Sequence, residues 1–179
     1  YLYENISNIY RENSGLNELT LLDLGAGRGG DLNKYIKSKI KNVLTIDIDK
    51  LNIKLLQKRY IELDEINKKN LNLKVFQADF TKLIHNGDAS NNLNIKDKEK
   101  LIELYEQEGF YKYNLISCQL AIHYAFENEL CLRGFIHNVY NNLRVGGYFF
   151  GTSFDGKVIF NNLENKDRIE GKTNDDKLL

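Results

Sequence analysis

A chain of 179 residues, 42% hydrophobic and 28% charged, is long enough for one domain with a substantial core. Its 25 basic and 25 acidic side chains cancel, so net charge gives no pointer to a polyanion and any such contact must be a local patch. No apolar run approaches the roughly 18 residues of a membrane-spanning helix, no signal peptide is visible, and two cysteines are too few for a disulfide framework. Cys118, in an apolar stretch, and Cys131, in a helical one, read as thiols in a reducing compartment. With no Met at all, the chain is expected to be a piece of a longer protein.

Apolar residues at 2, 6, 9 and 10 predict a helix from Tyr1 to Asn13, ended near Gly15. A strand follows at 19–24, then a helix at 31–40 with Leu32, Tyr35, Ile36 and Ile40 on one face. A second strand is read at 43–47, and a long helix at 50–69 buries Ile53, Leu56, Tyr60, Leu63 and Ile66. The third strand is 73–78; segment 81–96, with Gly87 and several Asn, reads as a loop. A charged helix at 97–108, a strand at 113–119 and a helix at 127–143 come next. Gly146-Gly147 then turns the chain into a fifth strand at 148–152, with a short helix at 157–164 and a charged, poorly ordered tail at 165–179. Strands alternating with helices predict an α/β fold, a doubly wound and mostly parallel sheet in a single domain over 1–164.

In such sheets ligands bind beyond the carboxyl ends of the strands. Gly25, Asp47, Asp79, Gln119 and Ser153 each lie at or just past such an end. Glycines 25, 27 and 30, between a strand and a helix, fit G-x-G-x-x-G, whose backbone N–H groups approach a ligand at a helix N-terminus. Asp47 stands about 20 residues further on, where a ribose diol would be bound. Two cofactor classes fit, dinucleotides and S-adenosylmethionine. Asp79, with Phe80 beside it, suits an exocyclic amine such as that of adenine; the alternative is a turn or helix-cap acid. Asp49 and Lys50 read as caps of the next helix. No Cys/His spacing suggests zinc, and no G-x-S-x-G or Cys-His arrangement suggests a covalent nucleophile. His85 and His137 read as surface residues, and Tyr10, Tyr35 and Phe149 as packing residues.

Asp23-Leu24-Gly25-Ala26-Gly27 resembles the D-x-G-x-G motif of class I S-adenosylmethionine-dependent methyltransferases. Gly27-Arg28-Gly29-Gly30-Asp31-Leu32 resembles the G-K-G-G-D-L of mRNA cap (guanine-N7) methyltransferases, and Ser117 to Phe126 is similar to that family's S-x-Q-F-x-x-H-Y-x-F. Lys58-Arg59-Tyr60 and Gly146-Gly147-Tyr148-Phe149 echo its R-Y pair and its G-G-x-F. The resemblance implies a Rossmann-like domain whose C-terminal part is missing, with S-adenosyl-L-methionine as cofactor and N7 of the guanine cap of GpppN-RNA as methyl acceptor. It assigns the cofactor to Asp23, Gly25, Ala26, Gly27, Asp47, Ile48, Asp79, Phe80, Gln119 and Tyr124. Arg28 and Arg59 would approach the cap phosphates, and His123 and Tyr124 the guanine. No catalytic base and no metal is implied, because N7 carries a lone pair and no proton. Arg28 replaces the family's Lys and Leu120 a frequent Phe; the Asn-Asn-x-x-Lys element expected before the first helix is not present. The implied partners are the capped mRNA 5′ end and other capping domains or subunits, with no membrane and a monomeric domain. The implied setting is the nucleus, or a viral cytoplasmic factory or virion. The competing readings are a small-molecule methyltransferase, a non-catalytic stimulatory module of a capping complex and, more distantly, an NAD dehydrogenase.

Overall fold

The computed structural model describes residues 1–109 and 112–163; the predicted tail at 165–179 and the domain boundary at 164 lie outside them. In chain order the elements are α1 (Leu2–Ser14), β1 (Leu19–Leu24), α2 (Leu32–Lys37), β2 (Ile40–Asp47), α3 (Lys50–Ile61), α4 (Glu65–Asn70) and β3 (Asn72–Gln77). They continue with α5 (Ile95–Glu108), β4 (Tyr113–Gln119), α6 (Glu129–Asn142), β5 (Leu143–Thr152) and α7 (Gly156–Leu163). Two 3-10 turns, Asp88–Ser90 and Ile122–Phe126, precede α5 and α6.

The five strands form one sheet in the order β3-β2-β1-β4-β5, every pairing parallel. Strand residues alternate between two cores, as the period of two requires. Leu22, Leu24, Leu44, Ile46 and Ile116 pack on one face with Leu101 of α5 and Phe135 of α6. Leu19, Leu21, Val43 and Leu115 pack on the other with Tyr3 and Tyr10 of α1 and Leu32 and Tyr35 of α2. The strand order reverses between β1 and β4, so a crevice opens where these two strands end.

Several boundaries differ from the sequence reading. The helix predicted at 31–40 stops at Lys37, because Lys39 turns into the left-handed region (φ 53°) and Ile40 is drawn into β2 opposite Leu19. The helix predicted at 50–69 is broken: α3 ends at Ile61 and α4 restarts behind Asp64, whose carboxylate accepts from the Asn67 N–H. Ile66 is therefore exposed rather than buried. The Gly146-Gly147 pair lies inside β5, which begins at Leu143 and carries a register shift against Tyr113–Leu115. Phe149 is part-exposed, packed edge-on against Phe135. Asp49 caps α3 as expected, accepting from the N–H groups of Leu51 and Asn52. Among the described residues no helix is long and apolar enough to cross a membrane.

Candidate functional site

A crevice of about 730 Å³ lies at the carboxyl ends of β1, β4 and β5, where Gly25-Ala26-Gly27 faces Gln119, Leu120 and Thr152, and the first turn of α1 forms a third wall. The glycine turn is built by close packing. A Cβ on Gly25 would stand 2.7 Å from the Ala121 Cβ and 3.3 Å from the Phe80 ring, and φ is +81°. Gly27, also at positive φ (+55°), has nothing within 4 Å where a side chain would go, so its Cα borders open space. The amides of this turn are already used: Gly25 and Ala26 both donate to the Ile46 carbonyl at 3.0 Å, and Gly27 donates to Asp47 at 2.8 Å. A ligand would therefore meet the open Cα face of Gly27 rather than the N–H groups of this turn, which corrects the N–H reading of Gly25 and Gly27.

Asp47 is the brace of the turn. Besides Gly27 it accepts from the Asp49 N–H at 2.9 Å and the Asn52 amide at 3.2 Å, leaving little acceptor capacity for a ligand. Ile48, next in the chain, is exposed. Asp79 lies two residues beyond β3, and its carboxylate is engaged by the Thr81 N–H and hydroxyl and by Lys82 at 3.3 Å, the contacts of a turn acid. Phe80 is buried, edge-on to Phe135, and closes the floor behind Gly25.

Asp23 stands beneath the crevice and not in it, only 1% exposed. One of its oxygens accepts from Tyr35 at 2.5 Å and the other from Ser117. Burial pushes its carboxyl up to about 6, against the opposing pull of these hydrogen bonds. The Tyr3 hydroxyl, which links to Ser117 and donates to Asp31 at 2.9 Å, extends the network to the crevice wall. Asp31 occupies the N-cap position of α2 yet makes no side-chain cap bond there; its second oxygen pairs with Lys34 at 2.5 Å.

Gln119 ends β4 with its Oε1 accepting from Thr152 at 3.0 Å, while its Nε2 is buried with no hydrogen-bond partner among the described residues. Leu120 then takes a left-handed conformation (φ 54°), held by its N–H bond to the Thr152 carbonyl. That reversal sets Ala121 against Gly25 and starts the 3-10 turn carrying His123 and Tyr124. Their rings lie 4.2 Å apart by centroid, with Phe154 at 6.2 Å from His123, and Tyr124 is 62% exposed. Gly29, two residues past Gly27, packs against Leu56 of α3, where a Cβ would stand 2.9 Å from the Leu56 Cγ. Arg59 is one helical turn beyond Leu56, so it and Arg28, next to Gly29, flank the same contact, both exposed.

The sequence reading missed Asp31, Tyr3 and Thr152. Asp31 reads as a helix start, Tyr3 carries no motif signal, and at the end of β5 the reading takes Ser153, just past the strand, whereas Thr152 lines the crevice. His85 is partly buried and stacks on exposed His137, with ring centroids 5.8 Å apart. Among the described residues no cluster of His, Cys, Asp and Glu could hold a metal ion.

Solved structures that share this arrangement include an S-adenosylmethionine-dependent methyltransferase from Clostridium acetobutylicum (TM-score 0.58, 18% identity, 98% of this chain and 58% of that one). Another is the glycopeptide N-methyltransferase MtfA complexed with S-adenosyl-L-methionine (TM-score 0.55, 13% identity, 96% of this chain and 60% of that one). The fold is that of the class I S-adenosylmethionine-dependent methyltransferases. More narrowly, residues 3–175 match the family described as the mRNA (guanine-N(7))-methyltransferase domain, and the chain belongs to that family. It is 31% identical over 167 residues to a probable mRNA-capping enzyme of Acanthamoeba polyphaga mimivirus, covering 88% of this chain and 14% of that protein. Against the mRNA cap guanine-N(7) methyltransferases of Caenorhabditis elegans and Candida glabrata the identities are 31% and 34%. Those matches cover 85% and 78% of this chain but 36% and 29% of the relatives.

Proposed function

We propose that this chain forms the cofactor half and part of the acceptor half of an enzyme that methylates N7 of the guanine cap of GpppN-RNA. The observation that carries this reading is the Gln119–Ala121 reversal, which sets Ala121 against Gly25 and opens the 3-10 turn that carries His123 and Tyr124. The residues fit the cofactor. The open space over Gly27 admits its amino-acid part, and the unpartnered Nε2 of Gln119 offers a buried donor to it. Asp47 would take the ribose with its remaining acceptor capacity, and Ile48, Asp79 and Phe80 would border the adenine. S-adenosyl-L-methionine, when bound, supplies an electrophilic methyl group on a sulfonium.

Guanine N7 needs no deprotonation, so His123 is assigned no role as a base. What the chain contributes is alignment: holding acceptor and donor in line is worth up to about 7–11 kcal/mol. The exposed faces of Tyr124 and Phe126 favour the purine as it becomes cationic. Arg28 and Arg59 supply charge for the cap triphosphate, Arg28 with a planar guanidinium where the family's Lys offers a point charge. A nuclear site of action belongs to this reading; the mimivirus relative favours the viral alternative, and imaging of the tagged full-length chain separates the two.

The test is transfer of labelled methyl from cofactor to capped RNA by the full-length chain, competed by cap analogue. Tyr124→Ala is expected to cut that transfer far more than it changes affinity for S-adenosylhomocysteine in calorimetry. A chain that binds the cofactor product but methylates only small molecules, unaffected by cap analogue, would overturn the proposal.

A further inference from the structure

We infer that the groove between α1 and the end of α2 is a track for the sugar–phosphate backbone of single-stranded RNA leading away from the crevice. This rests on the cap-methylation reading, since an acceptor at the end of a polynucleotide has a chain that must leave the site. The crevice shares Glu4, Lys37 and Ser38 with a second cavity of about 580 Å³. That cavity shares Asn17 and Lys39 with a third of about 440 Å³ beside Lys41. The first two follow α1, whose 13 residues make it roughly 20 Å long, and the third lies past its end beside Asn17 and Glu18.

The chain as a whole is neutral, but this groove is not. Lys34 and Lys41 are cancelled by Asp31 and Glu18, each at 2.5 Å. Arg11 binds only neutral acceptors on the groove's floor: its Nη2 donates to the Ser38 carbonyl at 2.7 Å and the Lys39 carbonyl at 3.0 Å, and its Nε to that of Asn17 at 3.3 Å. Such bonds anchor the guanidinium without cancelling its charge. Lys37 and Lys39 are exposed, and among the described residues no carboxylate pairs with either. Arg11, Lys37 and Lys39 therefore stand against Glu4 as the one lining carboxylate not already paired to a lysine. Arg11 also fixes the backbone where Lys39 turns left-handed, which projects that lysine from the chain reversal between α2 and β2. The uncharged lining is rich in amides, Asn5, Asn8 and Asn17, which suit phosphate and 2′-hydroxyl oxygens. Cations without carboxylate partners beside neutral amides describe backbone tracking without sequence preference.

The test uses the full-length chain with Lys37→Gln and Lys39→Asn together; Asn tolerates the left-handed backbone. Fluorescence anisotropy reads binding of a labelled, uncapped single-stranded RNA about twelve nucleotides long. Methyl transfer is followed in parallel on a capped RNA of the same length and on a cap dinucleotide. The variant should bind the uncapped RNA roughly tenfold more weakly, with the slope of log affinity against log salt reduced by about 1.4, or 0.7 for each lost phosphate contact. KM for the capped RNA should rise, while KM and kcat for the dinucleotide stay unchanged. Lys96→Gln with Lys100→Gln, on α5 across the sheet, should change none of these. Unchanged RNA affinity, an equal rise in KM for both substrates, or equally effective competition by an acidic peptide would overturn the track. Loss of RNA binding in the variant of a chain that never methylates capped RNA would keep the track and overturn the function.

Discussion

Gly25 and Gly27 share a left-handed backbone but face different surroundings, and that difference is measurable. Alanine at 25 combines positive φ with overlap on Ala121 and Phe80, both on the buried floor of the crevice. It should cost about 2–4 kcal/mol of stability and displace the His123–Tyr124 turn, so cofactor affinity falls with it. Alanine at 27 meets no atom, so its stability cost is the backbone preference alone, roughly 1–2 kcal/mol. Its methyl would nevertheless occupy ligand space and weaken S-adenosylhomocysteine binding. Thermal melts and calorimetry on both variants check this; equal loss of stability at the two positions would contradict it. Asp47→Asn should likewise weaken the cofactor product by about 1–3 kcal/mol, since the carboxylate that braces Gly27 is also the proposed ribose acceptor.

Between elements, one side chain joins α6 to the segment that closes the crevice. Asn138, buried, donates to the carbonyls of Phe80 at 2.9 Å and Lys82 at 2.7 Å and accepts from the Ile84 N–H at 3.1 Å. Gly134, one turn earlier, lets the helix approach so closely that a Cβ would fall 1.9 Å from the Thr81 carbonyl oxygen. Asn138→Ala should lower unfolding free energy by about 3 kcal/mol, because it strands buried backbone groups. Gly134→Ala should cost at least as much by forcing backbone to move. Urea titrations measure both. A loss below about 1 kcal/mol in Asn138→Ala would show that the segment is held elsewhere.

Across the whole molecule, Asp23 ties β1 to α2 through Tyr35 and to β4 through Ser117, and Tyr3 carries the network on to α1 and Asp31. Its carboxyl is raised by burial from 3.8 to about 6, with Asp31 adding to the rise and Lys34 opposing it. Between those two pH values the folded chain keeps a proton that the unfolded chain has released. Asp23 thus favours the fold fully below pH 3.8, and that favour is lost as pH rises through 6, about 3 kcal/mol in all. Asp23→Asn removes this dependence. The stability of the wild type relative to the variant should therefore fall between pH 4 and pH 6 and stay level above, as followed by calorimetric melts. A constant difference over that range would mean that Asp23 is ionised throughout, its burial offset by its hydroxyl partners.

The sequence by itself determined the alternation of strands and helices, the glycine turn, the strand-end list and the family, because hydrophobic period, turn chemistry and motif spacing are local properties. β1 and β4 fall at their predicted residues, and β3 within one, for that reason. Only the tertiary structure decided what each polar group is used for. Asp23, Asp47 and Asp79 look alike in the chain, yet one is sealed under the crevice, one braces the glycine turn and one closes a turn with Thr81. Asp31 looks like a helix cap and is instead turned toward Tyr3, whose partner lies 28 residues away in sequence. A hydrogen bond or an approach between backbones is settled by which distant segments the sheet brings side by side, and no local pattern encodes that.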